Sequence, residues 1–78
     1  MQAFINALKA SELGMAVPYA HGYTAYVSDD DETGGYFISY CQGEMPPHQT
    51  ERVATAEEAA AKLAEIADLG RAYAIEAD

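Results

Sequence analysis

The chain has 78 residues and carries thirteen Asp and Glu against four Lys and Arg, a net charge of −9. That length predicts one domain around one modest core, and an apolar share of 50% with six Tyr and two Phe excludes an intrinsically disordered acidic tail. The single cysteine, Cys41, excludes an intramolecular disulfide framework, and the negative balance disfavours direct contact with nucleic acid or an anionic membrane.

Residues 2–13 read as a helix, because Met1, Phe4, Ile5 and Leu8 recur at three- and four-residue spacing and Gly14 stands where a helix stop belongs. Residues 15–20 contain Pro18, which lacks a backbone donor, so this stretch is expected to be a connection or an edge strand. Residues 22–28 and 36–41 are rich in Tyr, Val, Ile and Phe and read as the two strands of a hairpin. The connection between them, Asp29-Asp30-Asp31-Glu32-Thr33-Gly34-Gly35, should project four carboxylates from the hairpin tip, its glycines supplying the turn. Residues 42–49 hold Gly43 and the Pro46-Pro47 pair and read as a loop.

Residues 51–54 suit a short further strand. Thr55 then opens a second helix, expected from Ala56 to about Leu69, with Thr55 and Glu58 forming a capping box and Gly70 acting as the stop. Residues 71–77 alternate Tyr73 and Ile75 with smaller or polar side chains, as a terminal strand would. The order helix, strand, strand, short strand, helix, strand predicts a single two-layer α+β domain over residues 1–78. Its antiparallel sheet would have three to four strands, with both helices on one face.

Two groups of acids draw attention as candidate contacts. On the second helix Glu57, Glu58, Glu65 and Asp68 fall within an arc of roughly 100°, while Ala59, Ala60, Leu63, Ile66 and Ala67 occupy the opposite arc, and Lys62 can pair with Glu58. The stripe would extend about 16 Å, comparable to two or three consecutive phosphates of a nucleic-acid strand. Acids in a first turn also suit the helix dipole, and charged helix faces commonly do no more than meet water.

The run Asp29, Asp30, Asp31 and Glu32 fits a solvated tip or a phosphate-like patch better than a calcium loop. It lacks the spaced ligands, central glycine and distal Glu of an EF-hand. Cys41 and His48 lie seven residues apart, but no third partner can be assigned, so neither a thiol nucleophile nor a zinc site is read from them. Among the tyrosines, Tyr36 and Tyr40 share a strand face and are expected to reach a protein partner, while Tyr23 and Tyr26 point to opposite faces.

In its whole-chain composition, its Asp29–Glu32 run and its Glu57, Glu58, Glu65, Asp68 stripe, the chain is similar to the small acidic inhibitors that phages direct at host defence. These include anti-CRISPR and anti-restriction proteins that act as nucleic-acid mimics. The resemblance implies a non-enzymatic inhibitor whose acidic surface occupies a basic, nucleic-acid-binding site on a protein partner, with no cofactor and no metal. The alternative is a small structural or regulatory domain, acidic for solubility, for which a homodimer is the natural assembly, since so short a chain buries only about 60% of its unfolded surface. With no basic-then-apolar leader and no long apolar run, the expected location is cytoplasmic.

Overall fold

The computed structural model describes residues 1–75. The first helix, α1 (Gln2–Ala10), buries Phe4, Ile5 and Leu8 of the apolar stripe, while Met1 of that stripe stands exposed at the helix start. It stops three residues before the expected boundary because Ser11 turns extended, its N–H donating to the carbonyls of Ala7 and Leu8. The Ser11 hydroxyl then bridges Gly14, donating to its carbonyl at 2.7 Å and accepting from its N–H at 2.9 Å.

Five antiparallel strands follow: β1 (Met15–Ala20), β2 (Tyr23–Asp29), β3 (Tyr36–Gln42), β4 (Gln49–Val53) and β5 (Tyr73–Ala74), in the spatial order β4-β3-β2-β1-β5. The α+β class and the hairpin agree with the sequence reading. Two details differ. The stretch expected to be a connection or an edge is an inner strand over its first half, where β5 pairs with Met15 and Ala16. Pro18 falls on the part of β1 that β5 leaves uncovered, so its missing donor deprives no neighbour. Among the described residues the terminal strand is confined to Tyr73 and Ala74, Arg71 belonging to the preceding 3-10 turn, and residues 76–77 of the expected span 71–77 lie outside the described residues.

Strand alternation divides the sheet into two faces. Met15, Val17, Ala25, Val27, Ile38 and Val53 point toward the helices and form the core with Phe4, Ile5, Leu8 and Leu63. The second helix, α2 (Ala56–Ala64), lies over the same face and buries Ala56, Ala59, Ala60 and Leu63. Its start is capped by Thr55 as predicted, the hydroxyl oxygen accepting the Glu58 N–H at 3.1 Å, whereas the Glu58 carboxylate reaches one residue beyond the cap and accepts the Ala54 N–H at 3.0 Å.

Its end comes earlier than expected. Leu63 O accepts from both Ile66 and Ala67, closing the last turn, and Asp68 caps a short 3-10 turn, Leu69–Arg71, by accepting the Gly70 N–H at 2.9 Å. Gly70 is thus inside a second, separate turn and is not the helix stop. Lys62 pairs across to Glu51 of β4 at 3.1 Å, not to Glu58 along the helix. Among the described residues no helix is long and apolar enough to cross a membrane.

Candidate protein-binding surface

The loop joining β2 to β3 is organised around one of its own acids. Asp30 is 1% exposed, so three of the four expected carboxylates project from the tip and Asp30 does not. Its Oδ1 accepts the Glu32 N–H at 3.1 Å, its Oδ2 accepts the Thr33 hydroxyl at 2.8 Å, and Arg52 Nε reaches Oδ2 at 3.4 Å. The backbone closes around it, with the Asp30 N–H donating to Gly35 O at 2.9 Å and the Gly34 N–H donating to Asp30 O at 2.8 Å. This is an Asx-type turn that uses the short side chain of Asp to replace backbone pairing.

Burial on its own pushes the Asp30 carboxyl up and is the largest single influence. The bonds from Thr33 and Glu32, with Arg52 beside them, together outweigh it and hold the carboxyl below its ordinary value. A carboxylate lowered in the folded state stabilises the fold above the unfolded value of about 3.9, and that contribution fades as pH falls through the folded value. Asp30→Asn is therefore expected to lower the melting temperature at pH 7 by roughly 5–10 °C. The gap to the parent should narrow below about pH 4. Thermal melts followed by circular dichroism from pH 7 to pH 2 check this, and an unchanging gap would refute it.

Arg52 also holds Glu32 at 3.1 Å, and its guanidinium lies 4.9 Å from the centre of the Phe37 ring. The loop is then fixed to the start of α2 by Gly35, whose backbone comes so close to Val53 O and Ala54 that there is no room for a side chain. The acidic tip and the first turn of α2 consequently share one end of the molecule. Asp29, Asp31, Glu32, Glu57 and Glu58 are all exposed there. Glu57 is bound by Lys9 of α1 at 2.8 Å, and this hydrogen bond is the main cause that lowers the Glu57 carboxyl and raises the Lys9 amine.

The other expected contacts lie elsewhere. Because α2 ends at Ala64, the stripe from Glu57 to Asp68 is not continuous: Glu65 stands at the helix terminus and Asp68 is engaged in its own cap. Tyr36 and Tyr40 share a face as predicted, but it is the face under the helices, where both are half-buried against the core. Tyr36 lines a shallow hollow of about 340 Å³ beneath Asp29 and Asp31. Tyr40 lies at the far end, its ring edge-on to Tyr19 at 5.9 Å, in a cleft of about 300 Å³ with His48, Lys62 and Glu65.

The residues that sequence reasoning passed over are Arg52, which ties the tip together from β4, and Tyr26, Phe37 and Tyr73, which alternation places on the sheet face away from the helices. The split between Tyr23 and Tyr26 was the available signal for the latter. Cys41 is also on that outer face, whereas the His48 ring packs edge-on to Tyr23 on the helix side at 5.5 Å, so thiol and imidazole are separated by the sheet. Among the described residues no group of three or more His, Cys, Asp or Glu is arranged to hold a metal ion. Comparison with family models, with curated proteins and with solved structures finds no match to this chain, so a functional reading rests on this geometry alone.

Proposed function

We propose that the chain is a non-enzymatic, protein-binding inhibitor whose acidic end occupies a basic, nucleic-acid-binding site on a partner protein. The observation that supports this reading is the convergence of two acidic segments, remote in sequence, on one end of the fold: the β2–β3 tip and the first turn of α2. Exposed carboxylates on a rigid tip attract a basic groove at long range and fix its orientation, as phosphates would. The four ion pairs that Lys9, Arg52 and Lys62 make among the described residues neutralise only part of the excess, since thirteen acids face four bases.

The test separates acids that hold backbone groups from exposed acids that do not, and Glu57, whose pair with Lys9 is half-exposed on both sides and contributes little to the fold, belongs with the second group. Asp30 and Glu58 are excluded, because one organises the loop and the other caps α2. The triple variant Asp29→Asn, Asp31→Asn, Glu57→Gln is expected to keep the parent circular dichroism spectrum. It should bind a basic nucleic-acid-binding protein captured from the source cell or its host roughly 10- to 100-fold more weakly. Parent affinity should fall as salt rises from about 0.1 to 0.5 M, and the captured protein should release its nucleic acid when the parent chain binds. Salt-insensitive binding, or full affinity of the triple variant, would overturn the reading.

A further inference from the structure

Both helices lie on one side of the sheet, and the other side is uncovered by any element of the described residues. One row crosses all five strands on this outer face: Tyr73 opposite Ala16, Ala16 opposite Tyr26, Tyr26 opposite Ser39, and Ser39 opposite Thr50. Tyr26 stands at its centre, on the middle strand. Ala16 is fully buried between its two tyrosine neighbours, which leaves the row smooth.

The charge of this face departs from that of the chain. A solvated outer face ordinarily alternates polar and charged side chains outward. Here the acids within the strands, Asp29 and Glu51, have the parity of the helix side, and among the described residues the only charged strand residue on the outer face is Arg52, which is already held by Asp30 and Glu32. A chain of net charge −9 thus presents, among its described residues, one nearly neutral surface made of Tyr, Phe, Ser, Thr and Ala.

We propose that this face is the interface of a homodimer in which two copies stack sheet on sheet about a two-fold axis. A basic partner gains nothing here, because there is no negative charge to meet. A second copy brings an equally neutral face, so no like charges are forced together at the centre of contact. Strands about 4.8 Å apart, four of them about 17–24 Å long and β5 only two residues, offer roughly 400 Å² per copy, and their stacking hides on the order of 800–1,000 Å² in total. That is the lower limit for a specific interface, so the dimer is weak and concentration-dependent.

Salt distinguishes this contact from the acidic-end reading, on which it does not depend. Two bodies each carrying −9 repel one another outside the interface, so screening strengthens the dimer, whereas screening weakens the grip on a basic partner. Sedimentation of the full chain from about 10 to 500 μM is expected to show an average mass rising above 8.4 kDa toward twice that value, and rising further at 0.5 M than at 0.05 M NaCl.

Tyr26→Arg and Ser39→Glu, each checked for parental circular dichroism, should weaken self-association at least tenfold. As a readout that needs no variant, amide resonances that move on dilution should belong to the outer-face strands. A mass that stays near 8.4 kDa at 500 μM and high salt overturns the proposal. So does dilution movement confined to the helices, or a dimer that both folded variants retain, and capture of an unrelated protein by this face in a chain that stays monomeric counts against it equally.

Discussion

Leu63→Ala is expected to destabilise the fold by about 3 kcal/mol. The buried side of α2 consists of Ala56, Ala59, Ala60 and Leu63, so three of its four contacts with the core are single methyl groups and Leu63 supplies the one large side chain. It is fully buried in the cluster that includes Ile38 and Val53. Neighbouring alanines cannot reorient to fill the space it would leave, because they have no side-chain rotamers, and the cavity therefore persists. A domain of this length is stable by only about 4–12 kcal/mol, so one substitution removes a quarter or more of the total. Urea denaturation should show a lower midpoint with an unchanged slope. As a comparison, Leu13→Ala, at an exposed position, is expected to change stability by less than about 0.5 kcal/mol. Equal effects at both positions would show that α2 is not anchored as described.

Gly14→Ala is expected to be as damaging or worse, at about 3 kcal/mol or more, with a correspondingly lower melting temperature. Gly14 has φ +112°, a conformation L residues rarely adopt, and a β-carbon there would collide with the Val27 carbonyl. The strand cannot retreat: Val27 is fully buried on β2, paired with Met15 on one side and Ile38 on the other. Gly34 provides the control, since it also has a positive φ, of +79°, but a β-carbon placed there would meet nothing within 4 Å. Gly34→Ala should therefore incur only the conformational cost of about 1–2 kcal/mol. Thermal melts of the two variants side by side check this, and equal losses would place the effect in the backbone angle and not in the collision.

Much of the architecture follows from patterns that act locally. The apolar spacing of Phe4, Ile5 and Leu8 and the Thr55–Glu58 cap each fix an element within a few residues, and the tyrosine-rich segments flanking the Asp-Gly run pair as the alternation indicates. The errors arise where a distant residue decides. Residues 15–20 are a strand because β2 and β5 flank Met15 and Ala16, an arrangement that outweighs the local signal of Pro18. α2 shortens because Asp68 instead caps the separate 3-10 turn by accepting the Gly70 N–H, although the intervening residues suit a helix.

The same distinction runs through the candidate surface. Alternation reveals that Tyr36 and Tyr40 lie together, but not that the helices cover them, since that depends on which face packs. Asp30 looks like its neighbours in a run of acids. The bonds from Thr33 and Glu32, with Arg52 brought alongside by the β3–β4 pairing, make it an interior group.

The inward turn of Asp30 bears on the proposed docking of the acidic end as well as on shape. Because its carboxylate holds the backbone of residues 30–35 from within, the torsional freedom of that segment is surrendered when the chain folds, and docking need not surrender it again. A flexible acidic tail would bear that entropic penalty at every encounter.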